Sequence, residues 1–246
     1  MIICADDYGL SKAVNLAIEE LCEHRKISAV SIICTEHSEL QTADVLKRMD
    51  IDRGLHFTLT TPFYPYSFFS LTFISKEKVH NELALQWKKF EELFGHAPHF
   101  IDGHQHIHLH PRIGKIMLSS PLLQNGKTYW RASKNQEIKW KECKSVKKWL
   151  FNYRIKSLGK KAGQRHLPLC DQVHGFYNLQ KGPDQSVFFP ENRQNVNELL
   201  FTHPGFIDKL LELRDPITLP RPKEFLLLKN FDGEVKRYNW NFNTKD

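Results

Sequence analysis

The chain has 246 residues, 41% of them hydrophobic, which suits one large α/β domain over residues 1–246, and no apolar stretch approaches the roughly 18 residues that cross a membrane. Net charge is +7, yet Gln124 to His166 holds thirteen Lys/Arg against two Glu (+11), leaving −4 for the remainder, so any surface for acidic partners is confined to that region. Cys4, Cys22, Cys34, Cys143 and Cys170 are scattered, odd in number and without a C-x-x-C pair, which argues against a disulfide frame or thiolate zinc site and for reduced thiols in a cytoplasmic protein.

Met1-Ile2-Ile3-Cys4 has neither a basic leader nor a cleavage-like site, which predicts no secretory signal, and Ile2–Cys4 reads as a first strand. Ser11 caps a helix to about Glu23, with Val14, Leu16, Ala17, Ile18 and Leu21 inward. Ala29–Cys34 is a buried, β-branched strand, followed by a helix near Glu39–Arg48. Leu55–Leu59 is a third strand. The proline-rich, aromatic stretch Pro62–Phe73 reads as a long loop. Lys76–Phe94 is helical, with Val79, Leu83, Trp87, Phe90 and Phe94 as its stripe and Gly95 as its stop.

Phe100-Ile101 opens a fourth strand, Pro111 begins a helix, and Thr128–Ala132 is a fifth strand. Cys143–Leu158 is helical, with Val146, Trp149, Leu150 and Tyr153 inward. The stretch after Arg165 reads as irregular. Leu199–Thr202 is a late strand that runs into His203-Pro204-Gly205, and Arg221–Lys229 is helical. Strands alternating with helices predict a mostly parallel α/β sheet.

Three fragments share one chemistry: Ala5-Asp6-Asp7-Tyr8-Gly9, Gly54-Leu55-His56, and Asp102-Gly103-His104-Gln105-His106-Ile107-His108. Each sits at or just after a predicted strand end, as does His203. In a β/α barrel those ends converge on one face. Neighbours on an extended chain point to opposite sides, so one carboxylate of Asp6-Asp7 can ligate a metal while the other accepts a proton. Read as plain structure, the pair is a turn before a helix, with one Asp serving the helix N-terminus. His56 alone reads as a satisfied core imidazole before it reads as a ligand.

Asp102, His104, His106, His108 and His110 have the same parity and would share one face of an extended chain. So many imidazoles are costly to bury unless they bond to a metal or to each other; otherwise the stretch is an exposed His-rich turn. His104, nearest the strand end, is the ligand candidate. Asp102 either orients an imidazole or lies beside the reaction centre, contacting substrate. Asp7, His56 and His104 together offer two nitrogens and one anionic oxygen, with positions open for water and substrate. Zinc, manganese, cobalt and magnesium all suit such donors, and nitrogen ligands lean away from magnesium.

On Ala5–Ser11, Gly54–Thr60, Phe100–His108 and, more weakly, Thr202–Phe206, the chain resembles the YdjC-like carbohydrate deacetylases, the group that includes chitooligosaccharide deacetylases. The resemblance follows order and spacing over most of the chain. It implies an irregular, TIM-like (β/α) barrel that hydrolyses an N-acetyl group on an amino sugar or oligosaccharide. It also implies Asp6 as base, and Asp7, His56 and His104 as ligands of one divalent ion, usually magnesium.

To these roles the residues add His203 as acid for the leaving amine, and Arg131 holding Asp6 through a bidentate contact. Asp171 and Phe176 are candidates to line the sugar cleft. Tyr64, Tyr66, Phe68 and Phe69 would form a lid, pack on the rim or make a homodimer contact. The rival reading is nucleic-acid or acidic-partner binding through the Lys-rich 127–165 region, where Trp130, Trp140 and Trp149 interleave with lysines. A solvated helix face explains the same lysines better. A third reading is a metal hydrolase of another bond.

Overall fold

The computed structural model describes residues 1–59, 70–124, 126–133, 146–175, 177, 182–183, 196–215 and 218–240. Tyr64, Tyr66, Phe68, Phe69, Trp140, Cys143 and Phe176 lie outside them, as does the side chain of Val146.

Eight strands form one parallel sheet: β1 (Ile2–Tyr8), β2 (Ala29–Ile32), β3 (Asp52–Phe57), β4 (Phe100–Gly103), β5 (Tyr129–Ser133), β6 (Leu169–Cys170), β7 (Gln172–His174) and β8 (Glu198–Thr202). Their order is β6-β5-β4-β3-β2-β1-β8-β7. Nearly every residue of β1 to β5 and β8 is buried, as expected of strands covered on both faces. The result is a nearly closed, TIM-like (β/α) barrel, as predicted.

Its irregularity lies between Arg165 and the late strand β8, where the sequence suggested no strand. β6 pairs with β5 and β7 pairs with β8, although only Asp171 separates them. One short segment therefore joins both sheet edges, with no helix between its two halves. These strands are too short and too mixed in character to show as a periodic pattern.

The α-helices of the described residues are α1 (Lys12–Glu23), α2 (Asp44–Lys47), α3 (Lys76–Phe94), α4 (Pro111–Leu118), α5 (Val146–Gly163), α6 (Lys209–Arg214) and α7 (Pro220–Lys229). Ser11 Oγ caps α1 by accepting the Val14 N–H, and Ser75 caps α3 in the same way through Lys78. Gly95 ends α3 at φ +76°, a left-handed conformation in which glycine meets no Cβ penalty. α2 is only one turn, shorter than the predicted Glu39–Arg48. Leu16, expected inward on α1, is 56% exposed, and its neighbour Asn15 is buried instead. Asn15 bonds the Gly9 N–H and the Glu39 carbonyl, so a polar pin replaces the apolar contact.

α5 turns Ile155, Leu158 and Ala162 inward, while Trp149 stacks on the exposed Tyr153. The predicted inner stripe was thus rotated. Lys156 and Lys160 face solvent, as a solvated helix requires. No helix among the described residues is long and apolar enough to cross a membrane. Cys4, Cys22, Cys34 and Cys170 are free and buried, and burial raises all four thiols.

The C-terminal segment covers the barrel end where the strands begin. Tyr238 stacks on Tyr129 with ring centroids 4.1 Å apart, donates its hydroxyl to the Leu169 carbonyl, and gives its N–H to Asp52. That leaves the opposite end for chemistry. Inside the wall, a Cβ on Gly54 would lie 2.3 Å from the Phe100 ring, which stacks on Tyr129 and has no room to swing away. Gly54→Ala should therefore destabilise the protein by about 1–3 kcal/mol, measured as a fall in the thermal midpoint. An unchanged midpoint would show that the Phe100 layer can repack.

Candidate active site

Asp6 and Asp7 fall within the last turn of pairing of β1, where its register with β2 slips between Ala5 and Tyr8. Asp7 takes φ +72°, a region uncommon for residues with a Cβ but accessible to aspartate. The irregularity swings the two carboxylates apart, as two jobs would require. Both are buried, Asp6 at 0% and Asp7 at 2% exposure.

Asp7 Oδ1 lies 3.2 Å from His56 Nε2 and 2.8 Å from His104 Nδ1. His56 reaches it from the end of β3, and His104 from the residue after β4. On its other nitrogen, His56 Nδ1 meets Asp102 Oδ1 at 2.6 Å and Ser31 Oγ at 2.9 Å. A carboxylate behind an imidazole fixes its ring and tautomer, the usual arrangement of a metal-ligating histidine. Asp102, 0% exposed, thus bonds an imidazole, which is the first of the two roles its position allowed.

The charges support this picture. Burial opposes ionisation of Asp7, but Arg221 and His104 outweigh it and hold its carboxyl well below the usual range. Burial likewise opposes charge on Asp102, and Arg131 and His56 bring it down to about 2. For His56 burial favours the neutral ring, yet Asp102 and Asp7 lift it to about 10. The neighbouring carboxylates thus favour a positive charge at His56. Divalent cations compete for such a place by displacing the proton. Three donor atoms lie within 4.8 Å of one another, so the residues present fit a divalent ion.

Beside this triad, Arg131 Nη1 donates to Asp6 Oδ1 at 2.5 Å and forms an ion pair with Asp102 Oδ2 at 2.8 Å. The contact is not the bidentate grip on Asp6 that was expected. One nitrogen bridges two carboxylates, because Asp102 competes for the same guanidinium edge. Cys4, Asp6 and Asp102 also converge, but Arg131 Nη1 stands among them and fills the place of a second cation. With Oδ1 engaged, Asp6 Oδ2 is buried and bonded to nothing among the described residues. His203 Nε2 lies 3.8 Å from it.

The remaining histidines do not share one face. After Gly103 the chain coils into a 3-10 turn over His104–Leu109, with Gln105 and His106 left-handed. His108 Nε2 sits 3.2 Å from the Arg131 carbonyl, and burial with Arg131 pushes its pKa down to about 3. His110 caps α4 by accepting the Ile113 N–H.

Asp171 is the single residue between β6 and β7. Its Oδ2 accepts the Asn197 N–H at 2.8 Å, at the opposite end of β8 from His203, and its carbonyl accepts the Ser133 hydroxyl. It closes the barrel between β6 and β7.

Two further participants escaped the sequence reading. Ser31 was the one polar residue in an apolar strand, a signal that could have been used. Arg221, whose Nη2 lies 2.6 Å from Asp7 Oδ2, had only its place between two prolines to mark it.

Comparison with known proteins agrees with this architecture. The family model described as YdjC-like protein matches residues 1–231. A carbohydrate deacetylase of Clostridium beijerinckii is 23% identical over 94% of this chain and 91% of its own length. A chitooligosaccharide deacetylase of Klebsiella pneumoniae is 30% identical over 48% of this chain and 53% of its own. With several such relatives the match spans about half of their length. A solved structure from Enterococcus faecalis, provisionally described as a cellobiose-phosphate cleavage protein, superposes with a TM-score of 0.67 at 19% identity, over 98% of this chain and 97% of that one.

Proposed function

This chain belongs to the YdjC-like protein family, and on that premise we propose that it is a metal-dependent hydrolase that removes the N-acetyl group from an amino sugar or oligosaccharide and releases acetate. The observation that carries the reading is the pairing of an unpartnered buried carboxylate oxygen, Asp6 Oδ2, with an adjacent Asp7–His56–His104 donor set. The relatives named carbohydrate and chitooligosaccharide deacetylases support the substrate class.

A divalent ion at Asp7, His56 and His104 would supply Lewis acidity toward the acetamide carbonyl and a more acidic bound water. Magnesium follows from the family resemblance, while the two imidazoles favour zinc, manganese or cobalt. Asp102 and Ser31 hold the His56 ring so that Nε2 faces inward. Arg131 occupies Asp6 Oδ1 and leaves Oδ2 to take the proton of the attacking water. His203, 28% exposed at its side chain and 3.8 Å from Asp6, gives a proton to the leaving amine nitrogen. Water adds to the acyl carbon, the C–N bond breaks, and acetate and the amino sugar result.

The direct test is a mass-spectrometric screen of N-acetylated sugars and short oligosaccharides. A deacetylated product is lighter by about 42 Da, the acetyl replaced by hydrogen, as metal-assisted amide hydrolysis requires. Release of phosphate from phosphorylated sugars without any acetate would instead assign the site to another bond.

A further inference from the structure

Helix α7 contributes neither base nor ligand, yet one of its faces is buried against the site. Arg221 and Glu224 stand three residues apart, hence on one face, and are 2% and 0% exposed. Glu224 Oε2 accepts the His203 N–H at 2.5 Å, and its other oxygen accepts the Tyr177 hydroxyl. The Gly205 N–H donates to the Arg221 carbonyl at 3.4 Å, and a Cβ on Gly205 would lie 3.3 Å from Arg221 Cδ. The His203-Pro204-Gly205 turn is therefore laid directly on this helix.

Arg221 itself is held from behind. Its Nε and Nη2 both donate to Asp215 Oδ2, at 3.1 and 2.6 Å. The same Nη2 donates to Asp7 Oδ2 at 2.6 Å. Asp215 already offers the guanidinium a counter-charge, so the reach to Asp7 is not needed to neutralise it. The effect falls on Asp7. With Oδ2 engaged by Arg221, Oδ1 is the oxygen turned to His56 and His104.

We infer that Arg221, braced by Asp215, is a positioning residue that selects which oxygen of Asp7 faces the imidazole pair and so sets the affinity of the cation site. The inference rests on the metal-ligand reading given above. Removing the charge would confound the test, because a nearby cation also repels a bound metal. Arg221→Lys keeps the charge and loses the planar fork that contacts both aspartates.

Metal-free parent, Arg221→Lys and His104→Ala should be titrated with Mn²⁺ by calorimetry, with circular dichroism confirming the fold and the thermal midpoint recorded without metal. Arg221→Lys should bind Mn²⁺ about 10–100-fold more weakly, the range for residues that orient ligands. A merely structural role would lower the metal-free midpoint and leave Mn²⁺ affinity of the folded protein at the parent value. That result, with His104→Ala weakened, overturns the inference and leaves the metal site standing. If His104→Ala also binds like the parent, the metal reading fails and the inference falls with it. Should Arg221→Lys not fold, Asp215→Asn, which removes the brace and retains the arginine, decides by the same titration.

Discussion

Asp6→Asn should reduce turnover by about 10²–10⁴-fold, the contribution of a positioned general base, while divalent-metal content stays near that of the parent. The amide keeps the shape of the side chain, and its oxygen can still accept from Arg131 Nη1. Arg131 also retains Asp102 Oδ2 at 2.8 Å, so no buried cation is stranded and folding should survive. What disappears is the basicity of Oδ2, the atom that has no hydrogen-bond partner among the described residues. Acetate release and elemental analysis on one preparation provide the check. Parental turnover in Asp6→Asn would move the base elsewhere, and loss of metal would make Asp6 a ligand.

His104→Ala should act on the other half of the site and weaken divalent-metal binding by at least about 100-fold, beyond the usual effect of losing a mere supporting group. The substitution reduces three converging donors to two, Asp7 Oδ1 and His56 Nε2. His104 is partly exposed and packs edge-on to His56, with ring centroids 5.5 Å apart, so its removal leaves the core intact. Equilibrium dialysis with zinc or manganese gives the measurement. Full metal together with full activity would dismantle the proposed ligand set.

The two variants separate roles that the sequence placed side by side. Asp6-Asp7 announces two adjacent acids, but the division of labour proposed for them rests on their neighbours. Arg131 ties one oxygen of Asp6, and Arg221 ties one oxygen of Asp7. His104 was legible because it follows a short apolar strand and a glycine. The other histidines of that stretch were misread, since a shared face presumes an extended chain. Left-handed Gln105 and His106 send the chain into a turn instead. The place of Asp171 was hidden for a related reason: an acid in an apparently irregular stretch gives no sign that it joins two sheet edges.

What the sequence determined by itself was local. Apolar runs of β-branched residues, serine caps, Gly95 and a helical period over Lys76–Phe94 are rules written between near neighbours, and the strands and helices followed them. Strand ends carrying acids and imidazoles were enough to place Asp6, Asp7, His56, His104 and His203 on one face. Only the tertiary structure decided which atoms meet. The Arg221–Asp7 contact spans 214 residues and Arg131–Asp6 spans 125. Such pairs carry no periodicity and no spacing rule. They exist because barrel closure buries charges that must then find partners, and the partner within reach depends on register and on which side chain burial brings there.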